Sequence, residues 1–367
     1  MKMVFRWFGE DNDTISLKHI KQIPGVEGIV WALHHLPAGE VWPLEDIRKV
    51  KQQADEAGFH IDVVESVNVH EDIKLGLPTR DKYIENYLQT IKNLATVGVK
   101  VICYNFMPVF DWIRTDLFKA LPDGSTAMYY DRQMLENMDP NNLVKMISHD
   151  NDFTMPGWEP ERLAYLTDLF KQYENVTEED LWDNLQYFLE RVIPVAAEHG
   201  IKMAIHPDDP PWSVFGLPRI ITNKENIQRL LNLVDHPNNG LTLCSGSLGS
   251  NPNIDIPEII REFADRIHFA HIRNVLVYDN GSFIETSHRT SDGTVDIYAI
   301  VKAYHEVNYT GYVRPDHGRH IWDEECRPGY GLYDRGMGIM YLWGIWDTLQ
   351  RDRDREEYEN VANTRKY

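Results

Sequence analysis

Eight short β-type runs alternate along the chain with longer helical stretches, and this alternation constrains the fold more than any other feature. The runs are Met3–Phe8, Gly28–Leu33, His60–Ser66, Val99–Phe106, Ile201–His206, Gly240–Ser245, Ile267–Arg273 and Gly311–Asp316. Several are continuous apolar stretches, such as Val-Lys-Val-Ile-Cys-Tyr, which suits strands covered on both faces, as in a parallel sheet. The clearest helical segments between them are Leu44–Ala57, Tyr83–Val97, Asp180–Glu198, Lys224–Leu233, Pro257–Ala264 and Ile297–Val307. Gly58, Gly98 and Gly200 stand just past the ends of three of them, where a left-handed cap favours glycine. Thr177 followed by Asp180 predicts the start of another. The expected fold is α/β, a (β/α)8 TIM barrel forming a single domain over residues 1–367. An open doubly wound sheet is the competing architecture, but no Gly-x-Gly-x-x-Gly follows a first strand. The stretch from about 107 to 180 is too long for an ordinary loop. It is expected to be a helical insertion after strand 4, with Trp112, Trp158 and Trp182 supplying apolar mass for a cap or an oligomer contact.

Charge narrows the partners. Lys and Arg number 37 against 57 Asp and Glu, a formal net charge of −20. Such acidity argues against nucleic acid or an anionic membrane as the main partner. There is no run of about 18 apolar residues that would span a bilayer, and the first residues reach charge too soon for a signal-peptide core. Three cysteines, Cys103, Cys244 and Cys326, do not make a disulfide framework. A cytoplasmic protein is expected.

Chemistry concentrates at the ends of the last four β-runs. His206, Cys244, His271 and Asp316 lie there, 38, 27 and 45 residues apart. A barrel would bring these ends to one mouth, the C-terminal face where such folds keep their active sites. Two imidazoles, a thiolate and a carboxylate make a divalent-metal ligand set. His268 and His271 are three apart, so strand alternation lets at most one of them point inward. His317, next to Asp316, is a candidate general acid or base. The other strand ends add a polar lining suited to a polyol with a carboxylate: Arg6, Trp7, His34, Asn105, Asp208, Arg273 and Arg314. His-Pro-Asp-Asp-Pro-Pro brings two carboxylates, Asp208 and Asp209, near the mouth, one of them a candidate to orient His206, and Arg273 is a candidate carboxylate clamp.

These motifs resemble a known family. Ala-Leu-His-His (32–35), Val-Val-Glu-Ser (63–66), Cys-Tyr-Asn-Phe-Met-Pro-Val-Phe-Asp-Trp (103–112), His-Pro-Asp-Asp-Pro-Pro (206–211) and Arg-Pro-Asp-His-Gly (314–318) are similar to those of mannonate dehydratases of the xylose-isomerase-like barrel superfamily. The resemblance spans essentially the whole chain. It implies dehydration of D-mannonate to 2-dehydro-3-deoxy-D-gluconate in hexuronate catabolism, with one Mn2+ or Fe2+ per subunit on His206, Cys244, His271 and Asp316. It also implies an acid–base pair of His317 and a tyrosine after Pro328. Tyr330, in Pro-Gly-Tyr, matches that position better than Tyr333, and is taken as base with His317 as acid. A homodimer is expected. Alternatives are a metal-dependent sugar or sugar-acid isomerase on the same barrel, a metal-dependent nuclease, which the charge disfavours, and a non-catalytic sensor, which would need no acid–base pair.

Overall fold

The structure is a computed structural model that describes residues 1–136, 138 and 166–364. In chain order its strands are β1 (Lys2–Arg6), β2 (Val26–Trp31), β3 (His60–Glu65), β4 (Val101–Tyr104), β5 (Asp116–Ala120), β6 (Thr126–Tyr130), β7 (Lys202–Ile205), β8 (Asn239–Cys244), β9 (Ile267–Ile272), β10 (Val275–Val277), β11 (Phe283–Glu285) and β12 (Tyr312–Pro315). Eight of them close a parallel barrel in the order β1-β12-β9-β8-β7-β4-β3-β2. These are the eight runs expected from the sequence. The predicted helices lie between them, for example Arg80–Thr96, Glu178–Glu198 and Ile297–Glu306. Thr177 and Asp180 form a reciprocal capping box. Gly98 takes a φ of +93° just past its helix, in the left-handed region where glycine avoids a Cβ clash.

Strand alternation sorts the barrel into an inside and an outside. Val4, Val30, Val63, Val101, Cys103, Ala204 and Phe269 pack together as a small inner cluster that plugs the barrel. A much larger outer core joins the opposite strand faces to the helices, with Phe5, Ile29, Val64, Ile102, Met203 and Leu243 among its members. The period of two carries each inner row upward by one further step. Above Val4 comes Arg6, above Val63 Glu65, above Cys103 Asn105, above Ala204 His206, and above Phe269 His271. The apolar plug is thus the floor on which the polar residues stand.

The excursion after β4 departs from expectation. Its first part is a β-hairpin, β5 and β6, followed by a short helix, Arg132–Glu136. β6 pairs with β11, and the four strands form an antiparallel sheet in the order β10-β11-β6-β5. The described helices of this stretch are Arg132–Glu136 and Leu166–Tyr173, whereas Trp158 lies outside the described residues. The hairpin leaves little trace in the sequence because Asp-Leu-Phe-Lys-Ala, an edge strand, lacks the continuous apolar character of the barrel runs. The chain ends in a long helix, Leu332–Thr364, that was also not foreseen. No described helix is long and apolar enough to cross a membrane.

Candidate active site

The four residues singled out as ligands converge at the C-terminal mouth. One donor atom from each of His206, Cys244, His271 and Asp316 lies within 4.8 Å of the others. Three of the four are buried, and His206 is half-buried. Cys244 Sγ lies 3.4 Å from Asp316 Oδ2, and the His206 and His271 ring centroids are 5.1 Å apart. His206 Nδ1 is 2.7 Å from the Pro207 carbonyl, so Nδ1–H donates there and Nε2 is turned toward the cluster. Of the histidines on β9, His271 faces inward and His268 does not join the cluster.

The electrostatics of the cluster suit a cation. Burial pushes the Cys244 thiol up. Arg273 and the hydrogen bond from His206 outweigh that and hold it well below its ordinary range, so the sulfur is a thiolate. Burial likewise raises Asp316, but Arg314, His317, His271 and Arg273 hold it well down as a carboxylate. Burial lowers His206, but its negative neighbours Cys244 and Asp316 overcome that and lift it to about 9. His271 Nε2 lies 3.3 Å from Glu65 Oε2, and Asp316 Oδ1 2.7 Å from Arg314 Nη1. The mixed N, S and O donor set, close-set and largely buried, fits one divalent ion. A second group, Glu65, Cys103 and His271, is equally close-set. Its chemistry differs: Arg314 grips both oxygens of Glu65, at 2.9 and 2.7 Å, and burial keeps the Cys103 thiol protonated. That group therefore supports the first by bracing His271, whose Nε2 is 3.3 Å from Glu65 Oε2.

His317 and Tyr330 stand beside the ligands. His317 Nε2 is 3.0 Å from the Tyr330 hydroxyl, and both residues are buried. Tyr330 pairs with His317 across the mouth because Gly329, at φ +78°, turns the chain tightly against the His317 ring. Tyr333 is 44% exposed on the following helix and takes no part. Trp112, from the excursion, meets the His317 ring edge to face at 5.7 Å.

The expected lining residues divide. Arg6, His34, Asn105 and Arg314 line the cavity with His206, Asp316, His317 and Tyr330. Arg6 Nη2 lies 3.2 Å from His34 Nε2. Burial, reinforced by Arg6, keeps His34 well below its ordinary pKa and therefore neutral. Three expectations are corrected. Trp7 follows the inward Arg6 by one residue and so points out, donating to the Ile15 carbonyl at 3.2 Å within the outer core. Asp208 turns away from the cavity and accepts the Ile220 and Ile221 amides at 2.6 and 2.9 Å, which fastens a loop rather than orienting His206. Its neighbour Asp209 lines the cavity instead. Arg273 is fully buried and spent on protein carboxylates: Asp209, Glu285 at 2.6 Å and Asp316 at 2.8 Å. It clamps the ligand Asp316, not a substrate. Glu285 and Arg114 complete this buried lattice, Arg114 reaching Asp209 at 2.8 Å and Glu285 at 2.6 Å. Glu285 sits on the three-residue β11, too short to leave a pattern in the sequence.

A closed parallel barrel whose mouth gathers four candidate metal donors and a buried histidine–tyrosine pair has a xylose-isomerase-like TIM-barrel fold. A xylose isomerase domain protein from Planctomyces limnophilus shares that fold, with a TM-score of 0.53 at 13% identity over 95% of this chain and 99% of that one. Closer matches narrow the class. The model of the family described as D-mannonate dehydratase (UxuA) matches residues 1–356. Mannonate dehydratase 1 of Halalkalibacterium halodurans is 71% identical over 350 residues, 95% of this chain and 97% of the relative. The crystal structure of mannonate dehydratase from Streptococcus suis serotype 2 superposes with a TM-score of 0.87 at 44% identity, covering 96% of both chains. The chain belongs to the D-mannonate dehydratase family.

Proposed function

We propose that the protein dehydrates D-mannonate to 2-dehydro-3-deoxy-D-gluconate by metal-dependent β-elimination. The observation that carries this reading is the buried His317–Tyr330 pair set directly against the His206, Cys244, His271 and Asp316 cluster. Elimination requires one group to take the C2 proton and another to protonate the departing C3 hydroxyl. The C2 proton is weakly acidic because the adjacent carboxylate resists further negative charge. A divalent ion on the four donors would bind that carboxylate and stabilise the charge that grows there. The mixed donor set favours Mn2+ or Fe2+, one per subunit.

The acid–base roles are proposed in the reverse of the sequence-based expectation. Burial pushes the Tyr330 phenol above its ordinary value, and Arg314 and Arg6 pull it back only in part. The phenol therefore keeps its proton and acts as the acid, while His317 Nε2 takes the C2 proton. Arg6, His34 and Asn105 are proposed to hold the substrate's hydroxyls and far end. Arg314, already tied to Glu65 and Asp316, lends positive charge to the cavity wall. Supplying D-mannonate and Mn2+ should yield the 2-keto-3-deoxy acid, and a chelator should stop it. Absence of product from protein shown to carry metal would sink the reading, and an isomerised sugar acid would favour the isomerase alternative.

Three unpaired, buried cysteines fit a reducing compartment such as the cytoplasm. A homodimer is also proposed. Tyr333, Met337 and Met340 are exposed at i, i+4 and i+7 on the final helix, and the ring of Trp322, 70% exposed, lies 5.4 Å from that of Tyr333. An apolar stripe of this kind marks a contact surface. Light scattering should give twice the chain mass, and Met337→Glu should halve it; a wild-type monomer would refute the dimer.

A further inference from the structure

The antiparallel sheet beside the barrel contributes a residue to the acid–base machinery. Glu285, at the end of β11, is fully buried, and its Oε1 lies 3.4 Å from His317 Nδ1. The other imidazole nitrogen, Nε2, faces the Tyr330 hydroxyl at 3.0 Å. We propose that Glu285 is a positioning residue that holds His317 with its proton on Nδ1 and its bare Nε2 turned to Tyr330 and the substrate. This rests on the reading of His317 as the base.

The argument is one of donors and acceptors. Glu285 Oε1 also receives Arg114 Nη2 and Arg273 Nη1, both at 2.6 Å. Burial raises the carboxyl, yet Arg273 and Arg114 bring it down to about 2, so the group is ionised. An ionised carboxylate only accepts hydrogen bonds. His317 must then donate from Nδ1, and in the base form of the ring, which has one donor and one acceptor, the other nitrogen is left to accept. Nε2 is therefore the acceptor, and the Tyr330 hydroxyl donates to it. In this chain of bonds, from Tyr330 through the imidazole to Glu285, the Nε2 lone pair holds the Tyr330 proton, and it is released to take the C2 proton when that hydroxyl donates to the departing C3 oxygen instead. The imidazolium formed on taking the C2 proton is stabilised by the same carboxylate. A histidine held by a carboxylate in this way is a general device for fixing ring orientation and tautomer.

The test is a double-mutant cycle on the metal-loaded full chain with D-mannonate. Glu285→Gln keeps the shape but not the charge. It should lower kcat by about 10- to 100-fold, with KM changed less than about twofold and one metal still bound per chain. In a His317→Asn background the same substitution should cause little further loss, because the residue it acts through is gone. A full additional loss in that background, or a loss of metal from Glu285→Gln, would overturn the proposal, since Glu285 would then act on the fold or on Asp316 through Arg273. Should Glu285→Gln not fold, Glu285→Asp retains the charge facing Arg114 and Arg273 while withdrawing it from His317. The same kcat loss and the same non-additivity are expected of it, and wild-type kcat in Glu285→Asp would also overturn the proposal. Wild-type turnover in His317→Asn alone would instead remove the base assignment.

Discussion

Replacing His317 with asparagine is expected to lower turnover of D-mannonate by about 10²- to 10⁴-fold, the range that a positioned general base or acid contributes, while one metal ion per chain stays bound. The two readouts separate because His317 lies outside the ligand set, 3.7 Å from Asp316 Oδ1, and its ring nitrogens are engaged by Tyr330 and Glu285. Asparagine is shorter, so it retains polarity but reaches neither partner well. Steady-state kinetics and metal analysis on the same preparation check the prediction. Unchanged turnover would take His317 out of the mechanism, and loss of the metal would make it a ligand.

The second large effect is expected from Cys244→Ser. The thiolate at the end of β8 is held low by Arg273 and His206 against the cost of its own burial. It also accepts the Ser247 amide at 3.4 Å. A serine hydroxyl is smaller and stays protonated near neutrality, so the cluster loses one negative charge and its only soft donor. Changes to residues that merely support a metal ligand lower affinity about 10- to 100-fold, so loss of the ligand itself should exceed about 100-fold. Activity should fall in step and recover partly at high Mn2+. Equilibrium dialysis gives the affinity directly. Tight binding with normal activity in Cys244→Ser would show that three donors suffice.

Much of the barrel was legible because of where its strands lie. A strand covered on both faces must be apolar throughout, and such runs stand out between amphipathic helices. The convergence of His206, Cys244, His271 and Asp316 was legible for a related reason: a parallel barrel places every strand end at one mouth, so a reactive side chain closing an apolar run has only one place to go. Trp7 was misplaced although the period of two, with Arg6 inward, already assigned it outward. Asp208 and Asp209 could not be told apart because they lie in a Pro-rich loop, where alternation no longer applies. Arg273 could not be read as a clamp on protein carboxylates because its partners, Asp209, Glu285 and Asp316, are remote in sequence. Glu285 was invisible because a three-residue strand has no periodicity and its charge is meaningful only beside Arg114 and Arg273.

The small side sheet has a consequence for how such an enzyme can change. The candidate metal donors stand on barrel strand ends, whereas the brace behind His317 and the ring of Trp112 against it arrive on the excursion and its partner strand. Two separately encoded parts thus meet at one catalytic centre. Loop grafts that exchange residues 107–136 together with 275–285 would retune proton transfer and substrate fit with the ion left in place. The division offers a route to new hydroxy-acid eliminations without rebuilding the scaffold.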